Sequence, residues 1–183
     1  MLASQNNHAP THRDIEKILI TEDQIRARVH ELGQQISKDY TQNGLILVGI
    51  LKGSLFFLSD LMRAVSTECS VDFMSLSSYS GTQSTGAVRL VLDLRENIAG
   101  KDVLIVEDIV DTGLTLKYLE DTLQARNPRS LAVCALLDRP DCRKIPVEAK
   151  YVGFTIPDNF VVGYGLDFNE KYRNLPYIGV LKK

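Results

Sequence analysis

Tryptophan is absent from the 183 residues, and cysteine and histidine occur only three times each. Cys69, Cys134 and Cys142 contain no C-x-x-C pair and leave one over however they are joined, which argues against a disulfide framework or a thiolate zinc site. His8, His12 and His30 are scattered, two of them near the start, so no Cys/His nucleophile pair is expected. No apolar run approaches the roughly 20 residues of a spanning helix. The opening M-L-A-S-Q-N-N-H-A-P-T-H-R-D has no basic region leading into an apolar stretch and does not read as a secretory signal. The expectation is a cytoplasmic protein with a disordered tail at 1–13 and a single domain at 14–183. A formal net charge of -2 gives no electrostatic reason for a nucleic-acid or membrane partner.

Two nucleotide motifs are missing as well. Gly49-Ile50-Leu51-Lys52-Gly53-Ser54 has the wrong spacing for G-x-x-x-x-G-K-[ST], and Gly163-Tyr164-Gly165 has Phe168 where a third glycine would stand.

What is present is a core. Hydrophobic residues make up 44% and charged residues 24%, the balance of an ordinary globular chain. From Glu22 to Tyr40, Ile25, Val29, Leu32, Ile36 and Tyr40 recur at helical spacing. After Asn43-Gly44, L-I-L-V-G-I-L is a short all-apolar run, the pattern of a strand covered on both faces. Ser54 is then a candidate N-cap for a helix with Leu55, Leu58, Met62 and Val65 on one face. Val71–Ser78 and Val88–Asp93 read as strands separated by a mobile, Ser/Thr/Gly-rich loop. Lys101–Val106 and Ser130–Leu137 read as buried strands flanking a helix marked by Leu116, Leu119 and Leu123. Strand-like pieces follow at Lys150–Ile156, Phe160–Gly163 and Tyr177–Leu181. Strands alternating with helices specify an α/β fold with a parallel sheet, whose ligands bind beyond the carboxyl ends of the strands. The loops after Leu51 and Val106 both lie at such ends.

The second loop carries the chemistry. V-E-D-I-V-D-T-G-L-T combines an anion cradle, Asp111-Thr112-Gly113-Leu114-Thr115 at a helix start, with the acids Glu107 and Asp108 just upstream. Outward N–H groups, the helix dipole and two threonine hydroxyls suit a phosphate monoester. Paired carboxylates suit a divalent cation or vicinal hydroxyls. A ribose 5-phosphate satisfies both halves.

The stretch V-L-I-V-E-D-I-V-D-T-G-L-T resembles the phosphoribosyl-diphosphate (PRPP) signature of type I phosphoribosyltransferases. V-G-I-L-K-G-S, S-S-Y-S-G-T and F-V-V-G-Y-G-L-D-F-N-E-K-Y-R-N-L-P-Y-I-G-V-L resemble, in the same order, the hypoxanthine(-guanine) branch. The resemblance runs from about Ile15 to the end. It implies a Rossmann-like parallel-sheet core with a small hood built from terminal segments, a magnesium requirement, PRPP, hypoxanthine and guanine as substrates, and a homodimer or homotetramer. Non-catalytic regulators on the same fold and a xanthine-preferring transferase are the alternatives.

By the same resemblance, Glu107 and Asp108 hold the ribose hydroxyls with magnesium close by, and Asp111 exchanges a proton at purine N7. Thr112, Gly113, Leu114 and Thr115 form the 5′-phosphate cradle. Leu51, Lys52 and Gly53 form a pyrophosphate loop with a cis Leu-Lys peptide, joined by Arg173. Phe160 stacks on the purine, Val161 offers it backbone groups, and Asp167 is a second metal ligand beside the purine site. Ser78 and Tyr79 belong to a lid. One departure concerns Arg139, which stands in L-L-D-R-P where the family usually has a lysine donating to purine O6. Its planar fork is expected to span O6 and N7 and to favour 6-oxopurines.

Overall fold

The computed structural model describes residues 11–41, 44–78 and 88–182. In chain order the elements are β1 (Ile15–Ile20), α1 (Glu22–Asp39), β2 (Leu45–Leu51), α2 (Leu55–Ala64), β3 (Cys69–Ser78), β4 (Val88–Leu92), β5 (Asp102–Val110), α3 (Leu114–Gln124), β6 (Ser130–Asp138), β7 (Tyr151–Thr155), β8 (Val161–Val162) and β9 (Ile178–Leu181). Six strands form a sheet in the order β4-β3-β2-β5-β6-β7, parallel except for β4 at one edge. The other three form a small antiparallel sheet, β1-β9-β8, built from both chain ends. This is the expected core and hood.

The apolar runs are explained by two-sided burial. In β2, Leu45 and Leu47 join one core with α1 and α2, through Ile25, Leu32, Phe57 and Leu61. Their neighbours Ile46, Val48 and Ile50 join a second core with α3, through Leu116, Leu119 and Leu123. Alternate residues therefore serve opposite faces, and none needs to be polar. Cys134 lies in the first core as a small buried hydrophobe. Chain connections also diverge at the middle of the sheet. β2 continues through α2 to β3 on one side, while β5 continues through α3 to β6 on the other. The divergence leaves a crevice at the carboxyl ends of β2 and β5.

The structure departs from the sequence reading in several places. β1 went unanticipated; only its pairing with β9 explains it, because I-E-K-I-L-I alone is too short and too charged to announce a strand. Helix α1 starts with a capping box in which Thr21 and Gln24 each bond the other's backbone N–H. In α2 the buried residues are Phe57, Leu58 and Leu61, while Leu55 and Met62 are 46% and 40% exposed. The apolar run Leu55-Phe56-Phe57-Leu58 with Leu61-Met62 offers two adjacent stripes, and the sheet covers the one through Phe57, Leu58 and Leu61. Ser54 makes no side-chain cap; its buried hydroxyl donates backward to the Ile50 carbonyl at 2.7 Å. Strand β5 runs on to Val110, four residues past its expected end, so Glu107 and Asp108 sit inside it. Of the tail expected to be disordered, 1–10 lie outside the described residues, but the His12 N–H donates to Tyr177 Oη at 2.8 Å. The expected mobile loop falls at 79–87, also outside them.

Gly33 on α1 permits the close crossing with α2, since a Cβ there would lie 2.6 Å from the Ala64 Cβ and carbonyl oxygen. Gly33→Leu is expected to cost about 1–3 kcal/mol by overpacking. A lowered urea midpoint with an unchanged slope would report it.

Candidate active site

The crevice is built by three segments that touch. Gly53 follows β2, and a Cβ on it would overlap Asp108 Oδ2; a Cβ on Gly165 would overlap the Gly53 carbonyl oxygen. Leu51–Lys52 is a cis peptide, as the resemblance implied. A cavity of about 300 Å³ opens between these segments, lined among others by Lys52, Gly53, Asp108, Thr115, Asp167 and Arg173. An adjoining one of about 280 Å³ lies over 107–116. A larger hollow of about 580 Å³ between α1, α2 and 173–176 holds neither the acid pair nor the anion cradle, so the chemistry is assigned to the smaller spaces.

Glu107 and Asp108, adjacent on β5, line both cavities. Glu107 is buried, and burial, with Asp108 beside it, raises its carboxyl well above the ordinary range. Asp108 is pushed up to about 6, chiefly by burial, with Asp167 adding a smaller push and Arg173 opposing it. A buried carboxyl that favours its proton can donate as well as accept.

The cradle forms where β5 gives way to α3. Gly113 occupies the cap position with φ +85°, the left-handed region, and a Cβ there would lie 2.7 Å from the Ile145 carbonyl oxygen. Glycine is required twice over. The Thr112 carbonyl accepts from the N–H groups of Lys144 and Ile145 at 2.9 and 3.2 Å, which anchors the turn from behind. Since the first helical bond runs from the Lys117 N–H to the Gly113 carbonyl, the earlier N–H groups face outward, with Thr115 exposed beside them. The cap is thus glycine rather than a threonine or aspartate side chain, and Thr112 Oγ1 accepts only a long 3.4 Å bond from the Leu114 N–H.

Opposite the cradle, Arg139 spends its fork on Asp111. Its Nε and Nη2 donate to the two carboxylate oxygens at 3.3 and 2.7 Å, and Nη1 donates to the Asn159 carbonyl at 2.9 Å. The side chain is only 14% exposed. Phe160 follows, 54% exposed, with Phe168 edge-on to it at a centroid distance of 5.5 Å. The Leu181 N–H donates to the Phe160 carbonyl, so by alternation the backbone groups of Val161 point away from β9, at the free edge of the hood sheet.

Across residues 19–169 the chain matches the phosphoribosyl transferase domain. It belongs to the phosphoribosyltransferase family. Hypoxanthine-guanine phosphoribosyltransferase of Staphylococcus aureus is 55% identical over 172 residues, 93% of this chain and 96% of that protein. The Staphylococcus epidermidis counterpart is 52% identical over the same share of each. A crystal structure of a Staphylococcus aureus hypoxanthine phosphoribosyltransferase superposes with a TM-score of 0.90 over 93% of this chain and 94% of that one. The Trypanosoma cruzi enzyme in complex with the product IMP, 44% identical, also gives 0.90, over 94% of this chain and 97% of its own.

Within this phosphoribosyltransferase the sequence-derived residues converge, with three exceptions. Glu107, Asp108 and Asp167 do not form one metal cage: among the described residues no three acidic, histidine or cysteine groups gather to hold an ion. Arg139 is not an unengaged fork, because Asp111 takes two of its donors. Of the lid pair, Ser78 ends β3 and Tyr79 lies outside the described residues. Residues that the sequence reading missed are Glu170, whose carboxylate meets Lys52 and Arg173, and Phe168; both lie in F-N-E-K-Y-R, where only Arg173 had been singled out.

A carboxyl whose pKa is raised on folding binds its proton more tightly folded than unfolded, so its contribution to stability is full at low pH and is lost as pH rises through the folded value. For Asp108 the window runs from about 4, the unfolded value, to about 6. In chelator, Asp108→Asn should gain stability relative to the parent as pH rises through that window. Urea midpoints whose difference stays flat from acid to neutral pH would show that the fold does not burden Asp108.

Proposed function

We propose that the chain transfers the 5-phosphoribosyl group of PRPP to N9 of hypoxanthine and guanine, giving IMP or GMP and pyrophosphate, as an enzyme of purine salvage. The observation that carries this reading is the β5-to-α3 turn. It carries buried Glu107 beside half-buried Asp108, a carboxylate paired to an arginine, and a glycine-threonine turn at a helix start, along one edge of a crevice that Lys52 also lines. The relatives, named as hypoxanthine-guanine phosphoribosyltransferases, support it. We place the protein in the cytoplasm, acting as a homodimer or homotetramer through residues 14–183.

Each group has a task. Thr112, Gly113, Leu114 and Thr115 receive the 5′-phosphate through backbone and hydroxyl donors. Glu107 and Asp108 take the ribose hydroxyls, and the proton-retaining form of a buried acid suits a hydroxyl that both donates and accepts. Lys52 and Arg173 take the pyrophosphate. Asp108 and Asp167, which repel one another across the cavity, fit magnesium in its usual manner of one or two carboxylates with substrate phosphates completing the shell. When bound, the ion neutralises the departing diphosphate. Phe160 stacks on the purine with Phe168 bracing its edge, and Val161 presents N–H and C=O to the base. Asp111 exchanges a proton at N7, while Arg139 orients it through two hydrogen bonds and stands beside O6, the edge at which 6-oxopurines differ from adenine.

The first test offers hypoxanthine, guanine, xanthine and adenine side by side with PRPP and magnesium, to the parent and to Arg139→Lys. Turnover of hypoxanthine and guanine with adenine inert is expected, and the lysine variant should shift the guanine-to-hypoxanthine ratio; PRPP binding without turnover of any base would overturn the reading. Asp111→Asn should lower kcat by about 10²–10⁴ with the KM for PRPP little changed. Steady-state kinetics showing an unaltered kcat would remove Asp111 from proton transfer.

A further inference from the structure

Glu170 joins the two cations that await pyrophosphate. Its Oε2 lies 3.2 Å from Lys52 Nζ and its Oε1 lies 3.4 Å from Arg173 Nη2. Those cations come from distant parts of the chain, the β2-to-α2 loop and the turn before β9, so a single carboxylate bridges two walls of the crevice. Solvation does not demand the arrangement, because the Glu170 side chain is 66% exposed and could face water instead. The backbone works to present it. Asn169, Glu170 and Tyr172 all have positive φ, at 52°, 60° and 74°, a run that non-glycine residues rarely adopt. Asp167 stabilises the curl by accepting the Glu170 N–H at 2.8 Å, and Phe168 and Lys171 close it with reciprocal backbone bonds. Lys52 and Arg173 in turn hold the Glu170 carboxyl below its ordinary range, Lys52 foremost.

We propose that Glu170 sets the affinity of the site for diphosphate. Its carboxylate stands between Lys52 and Arg173 as an internal substitute for a phosphate and is displaced whenever PRPP or pyrophosphate enters. The inference rests on the assignment of Lys52 and Arg173 given above. It follows from reciprocity: two cations already engaged by a tethered anion bind an incoming one less tightly, and the same anion hastens departure by reclaiming them. Arg173 has a second tie, from Nη2 to Asp167 Oδ1 at 2.8 Å, and a third, from Nη1 to the Gly165 carbonyl at 2.7 Å, which keep it in place when Glu170 leaves. Lys52 has only Glu170 among the described residues, so the competition falls chiefly on the lysine.

The test is calorimetric titration of magnesium pyrophosphate into the full-length parent, Glu170→Gln, Lys52→Gln and Glu68→Gln. Glu68 is an exposed acid at the amino end of β3, across the sheet from the site, and controls for net charge. Because the pairs are exposed, Glu170→Gln should tighten pyrophosphate by roughly two- to fivefold, and the gain should shrink as salt is raised. Glu68→Gln should change nothing. Equal or weaker binding by Glu170→Gln, or the same gain in Glu68→Gln, overturns the proposal. Lys52→Gln separates the two layers. If it leaves pyrophosphate affinity intact, the assignment of Lys52 is wrong and the proposal falls with it; if it weakens binding while Glu170→Gln gains nothing, the assignment stands and the proposal alone fails.

Discussion

Asp108 fills the volume that a side chain at position 53 would need, and the carbonyl of Gly53 fills the volume that a side chain at position 165 would need. These two contacts clamp the ends of β2 and β5 and the turn before β9 into one wall. Without them the Leu51-Lys52-Gly53 loop, the acids Glu107 and Asp108, and the 163–173 turn would belong to three separate surfaces. The clamp also explains the acid chemistry. Asp108 can approach Gly53 so closely only by leaving water, and that loss of solvent raises its carboxyl to about 6.

Burying acids at a strand end is unfavourable for the empty protein, and the cost falls where a ligand can relieve it. In the proposed reaction a sugar hydroxyl, or a cation placed by its phosphates, would supply the partner that burial removed, so part of the binding energy would be relief of a charge problem installed by folding. The hydrophobic cores on the two faces of the sheet are what sustain this. Leu104 and Val106 fix β5 from one side and Val103, Ile105 and Val110 from the other, and the strand cannot shift to put Glu107 back into water without misplacing all of them.

Much of this was legible in the residues, and the limits have physical causes. The middle strands announce themselves because burial on both faces leaves uninterrupted apolar runs. The cradle does so because Gly113 and two threonines at a helix start have few other uses in that pattern. β1 escaped notice because its identity lies in its partner β9, more than 150 residues away. The buried face of α2 was misplaced by one position because Leu55 to Leu58 and Leu61-Met62 are apolar at adjacent positions, so two neighbouring stripes fit the same periodicity. The engagement of Arg139 with Asp111 was invisible for a similar reason: the two are neighbours only because β5 and β6 pair in register, Val110 opposite Asp138. Residue types foretold the chemistry, but which donors were already in use depended on tertiary contacts.

That engagement shows a principle common to both ends of the crevice. At the end proposed for the purine Arg139 is paired to Asp111; at the end proposed for the diphosphate Lys52 is paired to Glu170. Each pair keeps charged groups satisfied while the site waits, and each is arranged so that a ligand group can replace or share one partner. The two ends differ in burial, and burial decides the consequence. The Arg139 side chain is nearly enclosed, so removing its partner would strand a charge in a poor solvent, and the pair is best kept intact with the base edge added to it. The Lys52 pair lies open to water, where breaking it costs little, so exchange of Glu170 for a phosphate is easy in both directions. On the proposed assignment, the base that must be held for proton transfer meets the rigid pair, and the product that must leave meets the labile one.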